Sequence, residues 1–79
     1  MYFVYILKSQ KDKTYYTGVT EHLQKRVKEH NAQRAKYSSA KTPYTLRWFC
    51  AFPIKQKAMA FERYLKSHSG IAFRNKRLA

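Results

Sequence analysis

Residues 4–30, VYILKSQKDKTYYTGVTEHLQKRVKEH, set the architecture of this chain: two apolar runs joined by a polar turn, followed by a basic helix. The runs at 2–9 and 14–20 are rich in β-branched and aromatic residues, so each predicts a strand. The polar turn at 10–13 is short enough to make the pair an antiparallel hairpin. Gly18, inside the second strand, indicates a point where a backbone or a ligand approaches closely.

A helix is predicted to follow the hairpin directly. Thr20 is the expected N-cap, and an acidic residue follows it at the positive end of the helix dipole. Leu23 and Val27 lie one turn apart and are predicted to face inward. Arg26 and His30 are also one turn apart, on a stripe beside that apolar line.

The second half of the chain predicts one more strand and further helices. Residues 34–43 are basic and serine-rich and predict a loop, and residues 44–53 predict a third strand ended by a proline. Residues 55–68 predict a helix that ends at Gly70, and residues 71–78 predict one or two further helical turns. The inward line of the helix at 55–68 is expected to consist of Ala58, Phe61 and Leu65.

These elements predict a single α+β domain over residues 1–79, in the order β-β-α-β-α-α. The simplest architecture is a three-stranded, mostly antiparallel sheet flanked by helices. A chain of 79 residues builds only a small core, which leaves little room for a buried organic cofactor.

The charge of the chain points to a polyanionic partner. Seventeen lysines and arginines face four acids, a formal net charge of +13. Such repulsion works against a compact state, so we attribute the charge to the binding of a polyanion. Nucleic acid is the first candidate partner and an anionic membrane surface is the second. No apolar span of 18 residues is present, so we expect no membrane insertion. One cysteine excludes an internal disulfide and favours the cytoplasm.

Four side chains in the first part of the chain combine proton-transfer and anion-binding chemistry. Tyr5, Tyr16, Arg26 and His30 fall within 26 residues of one another. Each also has an ordinary explanation: cross-strand aromatic packing for the tyrosines, a solvated charge for Arg26, and a surface position near the helix end for His30. Functionally, the arginine could clamp a phosphate and the histidine could move a proton near neutral pH.

Glu62 is the only acid after residue 29, and it borders the predicted apolar face of its helix. A carboxylate there is costly unless it is paired or binds a cation. One reading is a salt bridge to a nearby lysine or arginine. The other is a divalent metal ligand, since one carboxylate can hold a Mg²⁺ that keeps its waters and contacts a substrate phosphate.

Taken in order, these residues resemble the GIY-YIG nuclease superfamily, in particular its small stand-alone bacterial members. Phe3-Val4-Tyr5 stands where the family has Gly-Ile-Tyr, and Tyr16-Thr17-Gly18 stands where it has Tyr-Ile-Gly. The later positions of the family pattern are matched, in order, by Arg26, His30, Glu62 and Asn75. The resemblance covers nearly the whole chain.

The resemblance implies metal-dependent hydrolysis of a phosphodiester. In such enzymes the tyrosine of the second strand, here Tyr16, is the proposed general base that activates water, and Tyr5 orients the water or the phosphate. Arg26 would stabilise the charged transition state, and His30 would assist proton transfer. Glu62 would hold a single Mg²⁺ or Mn²⁺ beside the leaving oxygen.

Gly18 and Asn75 are carried over from the same resemblance as substrate-binding positions. The main departure is Phe3 in place of the first glycine, which we expect to alter packing more than chemistry. Family nucleases usually owe target choice to additional domains, so low sequence specificity or a targeting partner protein is implied here. We therefore expect an endonuclease-type domain acting on DNA, with a catalytically weak nucleic-acid-binding module as the alternative; the sequence leaves the oligomeric state open.

Overall fold

The computed structural model describes residues 1–32 and 42–78. The strands are β1 (Tyr2–Ser9), β2 (Tyr15–Thr20) and β3 (Tyr44–Phe52), and the helices are α1 (Leu23–Asn31), α2 (Lys55–Leu65) and α3 (His68–Phe73), followed by a π-helical turn (Arg74–Leu78). The α+β class and the order β-β-α-β-α-α are confirmed. Most of the loop predicted at 34–43 lies outside the described residues.

The three strands form one sheet in the order β2-β1-β3, antiparallel throughout. β1 is therefore the central strand, and its residues 4–7 are buried one after another. A strand covered on both faces has no solvent side, which explains why this run is almost continuously apolar.

Helix α2 covers one face of the sheet. Val4 and Ile6 of β1 form a buried cluster with Ala58 and Leu65 of α2, and Phe61 packs against it. The inward line predicted for this helix is confirmed. None of the helices in residues 1–32 and 42–78 is long and apolar enough to cross a bilayer.

The opposite face of the sheet packs against α1. Tyr5 and Leu7, which alternate with the α2-facing residues, form a second buried cluster with Tyr44 of β3. Leu23 and Val27 of α1 pack against it, as their spacing predicts. The side chain of Tyr5 therefore points towards the helix that carries Arg26 and His30.

An irregularity in β3 adjusts which of its residues meet each helix. Ile6 pairs with Trp48, whereas Leu7 pairs with Leu46, so that Arg47 is the extra residue of a β-bulge. As a result, Leu46 and Trp48 pack in different clusters, although they are two residues apart. Regular alternation would have placed both on the same face.

Two predicted helix boundaries differ in the structure. The N-cap of α1 is His22, whose side chain makes no capping bond. Thr20 instead accepts a hydrogen bond from the backbone N–H of His22, 3.1 Å away, and so closes a turn before the helix begins. The Thr20 hydroxyl thus binds the backbone of the N-cap residue itself, and it does not cap the first turn of α1.

The helix predicted at 55–68 ends earlier, and the next helix begins at His68. α2 ends at Leu65, and Ser67 caps α3 by accepting a hydrogen bond from the N–H of Gly70 at 3.1 Å. Gly70 is therefore inside the first turn of α3 and does not end α2. It is buried, and a Cβ there would collide with the carbonyl of Tyr64, so glycine is required for the close packing of the two helices.

Candidate active site

In the hairpin, the side chain of Tyr5 lies against the edge strand β2 at Gly18. Tyr5 and Gly18 are directly opposed in the β1–β2 pair. A Cβ built on Gly18 would lie 2.7 Å from Cζ of Tyr5. The group that approaches Gly18 is thus the phenol of Tyr5; a contact between this glycine and substrate remains a prediction.

His30 is at the centre of an aromatic cluster and is completely buried. Its Nε2 lies 3.1 Å from the hydroxyl of Tyr5. Its ring centroid is 4.7 Å from that of Tyr16 and 5.9 Å from that of Tyr44. The surface reading of His30 is wrong, because the helix turns this residue towards the sheet.

Burial shifts the pKa values of the two groups that share this hydrogen bond. Loss of solvent lowers the pKa of His30, and the nearby positive charge of Arg26 lowers it further. Burial also raises the pKa of Tyr5 to about 12, against an opposing hydrogen bond from Arg26. Tyr5 therefore remains a protonated phenol near neutral pH and can donate to an unprotonated Nε2.

Arg26 lies at the outer end of the cluster. Hydrogen bonds from its guanidinium to Tyr5 and, more weakly, to Tyr16 raise the pKa of Arg26. Its side chain is 37% exposed and lies 3.6 Å from the carboxylate of Glu29. The guanidinium thus lies beside both phenols and is partly exposed, so that an anion in solution could reach the guanidinium.

Glu62 forms the salt bridge that one reading of the sequence anticipates. Its Oε2 lies 2.8 Å from Nζ of Lys66, one turn along, and its side chain is 18% exposed. The Tyr5 pKa, raised chiefly by burial, also responds to the negative charge of Glu62. Glu62 is thus within electrostatic range of the tyrosine cluster, and metal binding by it remains a prediction.

Asn75 forms side-chain hydrogen bonds with the residue that precedes it, Arg74. Its Oδ1 accepts hydrogen bonds from Nε and Nη2 of Arg74, at 3.1 and 3.0 Å. The guanidinium of Arg74 in turn lies over the ring of Tyr15, 4.5 Å from its centroid. The structure therefore connects Asn75, through Arg74, to the ring of Tyr15, and direct substrate binding by Asn75 remains a prediction.

Comparison with known proteins supports the motif seen in the sequence. Residues 1–76 match the model of the GIY-YIG catalytic domain. The chain belongs to the GIY-YIG family. Its fold is accordingly of the nuclease type.

Three similar proteins show how far the likeness extends. The chain is 46% identical over 70 residues to the UPF0213 protein VNG_2274C of Halobacterium salinarum, covering 87% of this chain and 90% of that protein. It is 45% identical to the UPF0213 protein CPE1444 of Clostridium perfringens, covering 84% and 71%. The solution NMR structure of the UPF0213 protein BH0048 from Bacillus halodurans aligns with a TM-score of 0.59 at 34% identity, covering 96% of this chain and 84% of that chain.

In this GIY-YIG domain, Phe3 occupies the position of the first glycine of the motif, and its side chain makes a packing contact. Phe3 and Tyr5 are two residues apart on β1 and so share a face of the sheet. The ring of Phe3 meets that of Phe49 edge-on, with centroids 6.1 Å apart. The aromatic pair extends the sheet face beyond the tyrosine cluster.

Two residues that support the candidate site are not indicated by the sequence pattern. Tyr44 closes the cluster around His30 from β3. Asn31 exchanges two hydrogen bonds with the backbone of Tyr44: its Nδ2 donates to the carbonyl at 3.1 Å and its Oδ1 accepts from the N–H at 2.6 Å. Asn31 thus ties the end of α1 to the start of β3; no local pattern indicates this, because the partners are 13 residues apart.

Proposed function

We propose that this chain is a divalent-metal-dependent, endonuclease-type domain that hydrolyses DNA phosphodiesters. The observation that carries the proposal is the single connected cluster of Tyr5, Tyr16, His30 and Arg26. It combines proton-transfer groups with a cation that reaches solvent. The net charge of +13 favours a nucleic-acid substrate, since lysine and arginine contacts to phosphates release counterions.

The environments of the two phenols support different tasks for them. Tyr16 is half-buried and contributes to the lining of a surface groove that is open to solvent. Tyr5 is 1% exposed, and burial raises its pKa to about 12. We assign the task of general base to Tyr16. We assign a positioning task to Tyr5, which contacts the side chains of His30 and Arg26 and fixes where they lie.

Hydrolysis by this arrangement is an in-line displacement. The oxygen of a water molecule forms a bond to phosphorus while Tyr16, reacting as the phenolate, accepts one proton of that water. The bond from phosphorus to the leaving sugar oxygen breaks, and that oxygen takes up a proton from solvent water. Arg26 stabilises the negative charge that grows on the phosphate oxygens during the step.

Glu62 fits a metal site that depends on substrate. Magnesium is commonly held by one or two carboxylates together with substrate phosphates. Glu62 supplies one carboxylate, and within residues 1–32 and 42–78 no group of three or more His, Cys, Asp or Glu could hold an ion. Its partner Lys66 is 56% exposed and so has room to move aside. A bound Mg²⁺ or Mn²⁺ would act as a Lewis acid on the phosphate.

A nicking assay on supercoiled plasmid with Mg²⁺ or Mn²⁺ tests the proposal. Glu62→Gln removes the charge with little change of shape and should abolish most of the metal-dependent nicking. Glu21→Gln makes the same change of charge at an exposed position and serves as the matched control. Nicking that is undiminished in Glu62→Gln would rule out the metal role of Glu62.

A nucleic-acid-binding module with negligible turnover is the second candidate. The observation that favours it is the 2.8 Å contact by which Lys66 already neutralises Glu62. This candidate predicts salt-sensitive DNA binding with no nicking under Mg²⁺, Mn²⁺ or Ca²⁺. The endonuclease predicts that binding and nicking occur together.

A further inference from the structure

A shallow groove runs along the edge strand β2 towards the junction of α2 and α3. Its volume is about 290 Å³, and Tyr15, Tyr16, Lys66 and Arg74 contribute to its lining. Among its described lining residues two are cationic and none is acidic. The groove therefore combines positive charge with the phenol that we assign as general base.

Arg74 is held in place on one side of this groove. Its guanidinium lies 4.5 Å from the ring centroid of Tyr15, and Nζ of Lys8 lies 5.5 Å from the same centroid. Asn75 accepts hydrogen bonds from Nε and Nη2 of Arg74, which uses two of the five N–H donors of the guanidinium. An arginine oriented by both an aromatic ring and an amide loses less freedom when it binds an anion.

Lys66 connects the groove to the candidate metal ligand. It lines the groove, and its Nζ contacts Glu62 at 2.8 Å. The groove thus passes Tyr16 and extends to the side chain that pairs with Glu62. A DNA strand placed along the groove would run beside Tyr16 and beside the lysine that contacts Glu62.

We propose that this groove binds a backbone phosphate of the DNA strand adjacent to the phosphate that is cleaved, through Arg74 and Lys66. Asn75 is a positioning residue that acts through Arg74. The inference rests on the proposed function for the identity of the substrate and not on turnover. It assigns the strand path, and it gives Asn75 a task that needs no contact with substrate.

Binding to a fluorescein-labelled DNA duplex, followed by fluorescence anisotropy in EDTA over a range of salt concentrations, tests this assignment. Arg74→Gln should weaken binding about tenfold and lower the slope of log K against log salt by about one, the value expected for one lost phosphate contact. Arg77→Gln removes the same charge from the same helical turn at an exposed position outside the groove. It should change affinity by about twofold or less, since it acts only through the general field.

Lys66→Gln and Asn75→Ala provide independent variants. Lys66→Gln should also weaken binding more than Arg77→Gln, and Asn75→Ala should weaken it by less than Arg74→Gln while the slope falls in the same direction. Thermal melting of each variant identifies those that are folded. Equal effects of Arg74→Gln, Lys66→Gln and Arg77→Gln, or no binding by the unaltered protein, would overturn the assignment.

The outcome is separable from that of the nicking assay. Groove-dependent binding without nicking would contradict the endonuclease and retain the groove. Nicking that is lost in Glu62→Gln, together with groove variants that bind like Arg77→Gln, would retain the endonuclease and overturn the groove.

Discussion

The hydroxyl of Tyr5 lies 3.1 Å from Nε2 of His30, and both residues are almost completely excluded from solvent. A hydrogen bond in such surroundings matters chiefly because either partner is costly to leave unpaired. The bond joins the central strand of the sheet to the last turn of α1. The arrangement of the candidate site and the stability of the fold therefore depend on the same contact.

Tyr5→Phe should destabilise the protein by about 1–3 kcal/mol, because it removes this partner of a buried ring nitrogen while it keeps the aromatic ring. Urea denaturation measures the change in the free energy of unfolding. Tyr64→Phe is the control, since Tyr64 is 42% exposed; it should lie within about 0.5 kcal/mol of the unaltered protein. Equal stability of Tyr5→Phe and Tyr64→Phe would show that the buried bond contributes nothing.

Gly18→Ala should displace the Tyr5 ring, because the added Cβ would lie 2.7 Å from Cζ. Overpacking of this kind costs about 1–3 kcal/mol. The double variant Gly18→Ala with Tyr5→Leu removes the colliding ring, so its loss of stability should be smaller than the sum of the two single losses. Additive losses in the denaturation midpoints would contradict a collision between these residues.

Stability should fall in mild acid because of His30. Burial, together with Arg26, lowers the pKa of His30 in the folded state, whereas the unfolded value is about 6.5. Between these two pKa values the unfolded state binds more protons, so stability rises with pH in that window, by up to about 1.4 kcal/mol per pH unit, and gains nothing more above about 6.5. Denaturant titrations at pH values from 4 to 8 measure the slope.

Two histidine variants separate His30 from the rest of the protein in this experiment. His30→Gln should remove the slope, at some cost in overall stability. His68→Gln, at an exposed position, should leave it unchanged. A slope that persists in His30→Gln would assign the acid sensitivity to other groups.

Tyr16→Phe should lower the rate of plasmid nicking by about 10²- to 10⁴-fold, the usual contribution of a general base. Tyr2→Phe is a matched control, because it loses the same hydroxyl from a half-buried strand residue that packs in the cluster on the opposite face of the sheet and does not line the groove. It keeps the aromatic ring and should nick at close to the normal rate. Similar losses in both variants would contradict the assignment of the base to Tyr16.

Local sequence patterns predicted most of the fold. The apolar run of β1, the hairpin and the inward lines of α1 and α2 follow from periodicity, which reports the faces of a strand or a helix. The boundary errors have local causes as well. Thr20 uses its hydroxyl in a turn before α1, and Ser67 begins a new helix at a place where Gly70 suggested only an end.

The candidate site was predicted as a set of residues and not as an arrangement. Tyr5, Tyr16, Arg26 and His30 were identified by residue type and order, and the structure brings them together. The stacking of Arg74 on Tyr15 and the part played by Tyr44 were not predicted. Each depends on which side chain meets which in space, and that information is absent from spacing along the chain.

The sequence by itself determined the order of the elements, the positive charge and the identity of the residues that match the GIY-YIG motif, because these are properties of short segments and of composition. Only the tertiary structure decided that His30 is buried and that burial raises the pKa of Tyr5 to about 12. Burial and pKa are set by neighbours from distant parts of the chain. The tyrosine of β1 and the histidine of α1 are 25 residues apart and acquire their chemistry only when the sheet and the helix pack together.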